Sequence, residues 1–356
     1  MNQCLSAVIT GALLAITGSA ALAADAVVVA VPARAGAVDG TNQNSDEFIW
    51  RLFIQFVAPV SRTQASPVVF ETWASDKDTF SLTPHWPGPT EPKKLQASVL
   101  RAATSRHGGP VDVSCLPPGN AAIGGFPTSG TPTPCIAEEV RRNYPMYHYI
   151  VTNKLNTQSG LAAAFAKSFK VTMPTSAIAV KGDWVPVQTL LQWLPQIGGL
   201  DNLEELYYTG ISDGVEYALV SLHVSSRQNA NWVWGTFEHQ LTPGRCDDIG
   251  CLDTFGAADP EIRPNLTAVN TEYGPCPKTP ALQALMSAAN LSPVWENYCL
   301  KSTQVDYTAA DGTPYVLGNA VIERIVGNGT VAASSCISCH AYASFGAEGK
   351  PTAPAE

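Results

Sequence analysis

Two cysteines and a histidine fall within five residues near the end of the chain, Cys336-Ile337-Ser338-Cys339-His340, and only 16 residues follow them. This spacing is the attachment signature of a c-type haem. Two thiols add to the two vinyl groups of one macrocycle, and the adjacent imidazole reaches the iron as its axial ligand. The position of the box constrains the fold. A class I cytochrome c carries its box near the start and takes a methionine ligand from downstream. Residues 341–356 contain neither Met nor His, so that fold is not expected and any second ligand is expected from upstream. A zinc site would ask for two further Cys or His ligands close by, and the nearest in sequence are His239 and Cys299. A thioredoxin-like motif would sit early in a βαβ unit, unlike this string.

The opposite end agrees with that chemistry. Residues 5–23 read LSAVITGALLAITGSAALA, apolar and small, and end on the A-x-A-like site Ala21-Leu22-Ala23. Residues 1–23 are therefore expected to be a secretory signal peptide, which places the protein in the bacterial periplasm, where c-type haem is attached. The segment Met1-Asn2-Gln3-Cys4 lacks Lys and Arg, so a retained anchor is the competing reading. Residues 24–44 are small and unpatterned, a disordered lead-in, and 45–356 form one haem-binding unit with its box at 336–340.

Composition narrows the fold class. Only 14% of residues are charged, with 28 Gly and 27 Pro, which favours a loop-rich, strand-containing chain. The expectation is an α+β fold: an antiparallel, β-sheet-rich domain with flanking helices and long disulfide-bonded loops. The net charge of −9 disfavours nucleic acid as a partner and is compatible with a periplasmic redox partner. No apolar run beyond the signal is long enough to span a bilayer.

Nine cysteines become six once Cys4 and the two of the box are set aside. An even number in an exported chain implies disulfides, whose connectivity spacing alone does not fix. The expected pairs are the local ones, Cys115–Cys135, Cys246–Cys251 and Cys276–Cys299.

Periodicity supplies the elements. Ser45 is a candidate N-cap for a helix with Asp46 and Glu47 in its first turn and an apolar stripe of Phe48, Ile49, Leu52, Phe53, Phe56 and Val57. Residues 68–73 read as a strand, 80–135 as loops, 159–169 as a short helix, and 185–197 as ambiguous. The clearest signal is a hairpin over 215–240. In its first strand Ala218, Val220, Leu222 and Val224 take one face, and Tyr217, Leu219, Ser221 and His223 the other. In its second, Trp232, Trp234, Thr236 and Glu238 lie opposite Val233, Gly235, Phe237 and His239. Thr279-Pro280 opens a further helix.

The sixth ligand decides between functions, because a filled site makes an electron carrier and an open one binds or activates a small molecule. His340 is the proximal ligand. His239 and His223, on the hairpin beside bulky aromatics, are the distal candidates. Glu238 would donate or accept a proton if it faced a pocket.

These residues resemble a family. The helix Asp46-Glu47-Phe48-Ile49-Trp50-Arg51-Leu52-Phe53, the segment Phe70-Glu71-Thr72-Trp73, the string Trp232-Val233-Trp234-Gly235-Thr236-Phe237-Glu238-His239 and the terminal box are similar to exported bacterial cytochrome c family proteins with a single C-terminal haem c box. Gln240-Leu241-Thr242 stand where the family pattern carries Asp-Asn. The resemblance implies one covalent haem c in a periplasmic protein and supplies no activity. A weaker architectural likeness runs to the cytochrome c′-β group, five-coordinate haem proteins that bind or oxidise small nitrogen compounds. The expected function is periplasmic electron transfer. The alternative is a five-coordinate haem enzyme or gas-binding protein acting on peroxide or small nitrogen compounds, and a third reading is an interaction module with a structural haem.

Overall fold

A computed structural model describes residues 44–61, 66–92, 95, 98–99, 122–123, 126–127, 137–212, 214–267, 270–321, 323 and 334–352. The expected signal peptide, all of the 24–44 lead-in except Asn44, and the Cys115–Cys135 pair lie outside the described residues. Among those described, no helix is long and apolar enough to cross a membrane.

The fold is α+β, as expected, and its centre is one antiparallel sheet of eight strands. The strands are β1 (Ala74–Ser75), β2 (Ser98–Val99), β3 (Ala137–Arg142), β4 (Ile178–Pro186), β5 (Thr209–Ser212), β6 (Val215–Ser226), β7 (Val233–His239) and β8 (Tyr298–Gln304). The spatial order is β1-β3-β4-β6-β7-β8, with β2 on β3 and β5 on β6. The predicted hairpin is β6–β7, with Ser221 opposite Glu238 and His223 opposite Thr236. Its second strand starts only at Val233, because Trp232 adopts φ +66° and belongs to the turn.

One face of the sheet is covered by α1 (Ser45–Val57). Phe53 lies against Trp50, Phe56, Phe237, Trp295 and Tyr298, at centroid distances of 4.5–6.4 Å. Trp50, Phe53, Phe56 and Phe237 are all essentially inaccessible. Gly235 lets the helix approach: a Cβ there would meet Ile49 Cγ2 at 2.6 Å. The predicted stripe is buried deepest at Ile49, Phe53, Phe56 and Val57, while Phe48 and Leu52 are half-buried at its margin.

Three local readings change for physical reasons. Asn44, not Ser45, is the N-cap of α1. Asp46 instead accepts hydrogen bonds from Thr254 N, Thr254 Oγ1 and Thr303 Oγ1, so it ties the helix to a loop and to β8. Residues 69–72 form a 3₁₀ turn rather than a strand. The Glu71 carboxylate accepts from Val68 N at 3.0 Å and Thr72 Oγ1 donates to Val69 O at 2.7 Å, and such local bonds compete with a ladder. Finally, the alternation in β6 breaks. Asp183 faces Ser221 but Trp184 faces Leu219, so Val220 is an extra residue. A bulge of this kind shifts the side-chain phase of the strand. Leu219 therefore joins Leu222 in the core under α1, while Ala218 and Val220 pack with Val185 and α4 (Val187–Trp193).

The other helices follow their caps. In α2 (Tyr144–Thr152) the Asn143 side chain accepts from Met146 N. In α3 (Gln158–Ala166) Thr157 accepts from Gly160 N. After α5 (Leu200–Leu206) comes α6 (Pro280–Ala288), capped by Thr279 with Pro280 at its first position, as the sequence predicts. The disulfides Cys246–Cys251 and Cys276–Cys299 are formed.

Candidate functional site

The second face of the sheet is polar and buried, and the C-terminal segment lies on it. Because directly opposed residues share a face in an antiparallel pair, the register builds two rows. The first runs Glu138, Asp183, Ser221, Glu238, and the second Val140, Lys181, His223, Thr236. Alternation from Cys299, opposite Glu238, puts Lys301 on this face too, where a second bulge leaves it as the extra residue between Leu300 and Ser302. Its ammonium meets Glu238 Oε1 at 3.1 Å, with both side chains essentially inaccessible. Lys181 pairs with Glu138 at 2.5 Å, and Ser221 Oγ donates to Asp183 Oδ2 at 2.5 Å. Asp183 Oδ1 and Glu238 Oε2 are buried without a hydrogen-bond partner among the described residues. Burial raises the Asp183 carboxyl to about 7, against the lowering effect of Lys181 and His223.

The box forms α7 (Cys336–Ala341), one and a half turns long. Ser335 caps it, its Oγ accepting from Ser338 N at 3.3 Å. Gln304, the last residue of β8, fastens it to the sheet by accepting from Ile337 N and donating to Ser335 Oγ. Helical spacing puts Cys336, Cys339 and His340, at i, i+3 and i+4, on one side of the turn. The His340 ring packs on Trp234, centroid to centroid 4.2 Å, and Trp232 stacks behind Trp234 at 5.9 Å. The His340 ring has no hydrogen-bond partner among the described residues. Burial, then the nearby Lys181 and His223, push its imidazole down to about 3, so the ring is neutral with a lone pair to give.

The two distal candidates part company here. His223 lies beside the box. Its Nε2 is 3.1 Å from Asn319 Nδ2 and 3.4 Å from Glu323 Oε1, and its ring is within hydrogen-bonding reach of the Cys336 thiol. Burial works to lower the His223 pKa, but the Glu323 carboxylate and Cys336 outweigh it and hold it well above the ordinary value. Glu323 responds in reverse: burial raises it, His223 outweighs that, and it ends lowered. His239, by contrast, points to the opposite face. It stacks on Tyr207 at 3.5 Å. Its Nε2–H donates to Leu206 O and its Nδ1 accepts from Leu241 N. With both nitrogens engaged and the sheet between it and the box, His239 is a structural histidine. Glu238 does face the site, held by Lys301 and by Ala320 N at 2.9 Å.

Asn319, Glu323, Lys181 and Asp183 were not singled out from the sequence. The strand Ile178–Pro186 carries Lys181 and Asp183 two apart in an otherwise apolar run, and that signal alone points to a shared polar face. Asn319 and Glu323 reach the site only through tertiary contact.

The residues fit haem c attachment in type, in spacing on one helical turn, and in the uncommitted imidazole of His340. Cys336 is a free thiol. Cys339 is engaged in a disulfide, so that bond must open before its sulfur can form a thioether. Among the described residues no cluster of three or more His, Cys, Asp or Glu is arranged to hold a bare metal ion. No protein-family model, curated protein or solved structure matches the chain.

Proposed function

We propose that this chain is an exported, periplasmic monohaem c-type cytochrome of the family its sequence resembles, acting in electron transfer to a redox partner. The observation that carries the reading is the capped Cys-x-x-Cys-His helix whose half-buried histidine packs its ring on Trp234 and leaves both ring nitrogens without a hydrogen bond among the described residues. Cys336 and Cys339 would hold the haem and His340 would ligate its iron. A bound haem c supplies a one-electron couple tuned by its axial ligands. The chain's own contribution is positional. Gln304 and Ser335 fix the box on the sheet, Trp234 orients the His340 ring, and Asn319 and Glu323 orient His223, the remaining distal candidate.

A second reading is favoured by a specific observation. The Nε2 of His223 already has Asn319 and Glu323 as neighbours, and Asp183 and Glu238 each hold on the same face a carboxylate oxygen unpaired among the described residues. A ring so held leaves the sixth site open beside groups able to store a proton, the arrangement of a five-coordinate haem enzyme or gas-binding protein.

One experiment separates these readings. The protein is exported with haem-maturation genes, and its spectra are recorded oxidised, reduced and reduced with carbon monoxide. Electron transfer predicts a low-spin spectrum unmoved by carbon monoxide, and His223→Ala then converts it to high spin. A high-spin spectrum shifted by carbon monoxide in the unmodified protein supports the second reading. Absence of covalent haem, with Cys339 still in a disulfide, sinks both.

A further inference from the structure

A buried ammonium normally sits beside a carboxylate, because an uncompensated charge in the interior is costly. Lys278 breaks that rule. It is 7% exposed, and no carboxylate among the described residues reaches ion-pair distance of its Nζ. Its hydrogens go instead to Cys276 O at 3.0 Å, Tyr298 O at 2.9 Å and the sulfur of Cys276 at 2.8 Å. Cys276 is bonded to Cys299. A disulfide sulfur is a weak acceptor for a cation, whereas a thiolate is a full counter-ion. The cation is therefore placed for the reduced form of this bond.

The second disulfide provides a control. Arg245 Nη1 lies 3.3 Å from Cys246 and 3.8 Å from Cys251, so a cation is present there too. But Cys246 is inaccessible and Cys251 is 9% exposed. Cys276 is half-buried between the exposed Pro275 and Pro277, which makes it the most exposed of the four cysteines in these two bonds.

We infer that Cys276–Cys299 is a reversible dithiol–disulfide switch, opened by a small or thioredoxin-type dithiol, with Lys278 stabilising the Cys276 thiolate. The step balances as thiol exchange. A reductant thiolate attacks the Cys276 sulfur, the Cys276–Cys299 bond breaks, and Cys299 leaves with the electron pair and takes a proton. The reductant's second thiolate then attacks its own sulfur in the mixed disulfide. Cys276 departs as a thiolate beside Lys278, and the reductant is left as a disulfide, two electrons having passed to the protein. An adjacent cation lowers a thiol's pKa and so favours this reduced state. The consequence reaches the polar face. Cys299 opposes Glu238 in the ladder and lies two residues from Lys301, so the bond tethers the edge strand that supplies Glu238 with its counter-charge. The inference is independent of the haem reading.

The test uses the full exported chain, equilibrated in graded ratios of reduced to oxidised dithiothreitol. Samples are acid-quenched and alkylated, and Cys276 and Cys299 are quantified by mass spectrometry. Cys276–Cys299 is expected to open in the native protein while Cys246–Cys251 stays closed. Lys278→Met should shift its equilibrium about tenfold toward the disulfide, about 30 mV for a two-electron couple, and Lys278→Arg should restore it. Coincident titrations of the unmodified protein and Lys278→Met would overturn the inference, as would a Cys276–Cys299 bond that opens only on unfolding. If Lys278→Met does not fold, the alkylation rate of Cys276 in the reduced unmodified protein is measured against pH. A midpoint at least about one unit below the ordinary thiol value near 8.5 supports the inference, and one at or above it refutes it.

Discussion

The two faces of the central sheet are both buried, yet they are held in opposite ways. Under α1 the contacts are aromatic rings and aliphatic chains, among them Trp50, Phe53, Phe237 and Leu300, with Gly235 setting the distance of approach. Under the C-terminal segment the same strands present Glu138, Lys181, Asp183, His223, Glu238 and Lys301. Apolar contact is non-directional and gains in proportion to the area removed from water. A buried charge gains only if its particular partner is present. The α1 face is thus generic in chemistry and specific in shape, while the polar face is specific in chemistry and intolerant of partial loss. A chain keeps the second kind of surface at a cost in stability, which directs attention to the box lying on it.

The sharpest comparison pits a cavity against a stranded charge. Phe53→Ala, at the ring cluster under α1, is expected to destabilise by roughly 3–5 kcal/mol with no simple rescue, read as a fall in denaturation midpoint. Lys301→Met leaves Glu238 uncompensated and should cost a similar amount, about 3–5 kcal/mol. Adding Glu238→Leu should recover most of it, because a pair of apolar groups replaces the ion pair. If the double substitution is as unstable as the single, the polar face is being held by something other than this pair.

The two histidines on opposite faces provide a pH contrast. Burial lowers His239 from 6.5 to about 3. Below pH 6.5 the unfolded chain takes up a proton there that the folded chain does not, so stability falls as pH drops from 6.5 toward 3. His239→Gln should flatten that acid limb by up to a few kcal/mol at pH 4, measured from denaturant midpoints across the range. An unchanged slope would mean that this ring is not neutral in the folded protein. The smallest effect is expected at Gly235→Ala, which presses a methyl on Ile49 and should cost about 1–3 kcal/mol through overpacking. A neutral outcome would show that α1 can slide away from the sheet.

Much of the local structure was legible in the residues. The Thr279-Pro280 start, the hairpin alternation around His223 and Trp234, and the disulfides closing short loops at 246–251 and 276–299 all rest on interactions between near neighbours. The failures are also instructive. The 68–73 strand was lost to hydrogen bonds of Glu71 and Thr72 that period-two reading does not weigh. The shared face of Leu219 and His223 was lost to one extra residue, Val220, whose bulge is defined only against Asp183 and Trp184 on the neighbouring strand.

The candidate site divides along the same line. The sequence by itself determined the spacing of the box at 336–340 and the placing of His223 and His239 on strands of one hairpin, because covalent order and side-chain alternation settle these. The tertiary structure alone decided that His223 joins the box while His239 is locked between Tyr207 and Leu206. It also brought Asn319, Glu323 and Lys181 to the same place. The Asn319–His223 contact alone spans 96 residues of chain, and no local propensity encodes a partner that distant; only the burial of one face against α1 fixes which side chains are left to meet on the other.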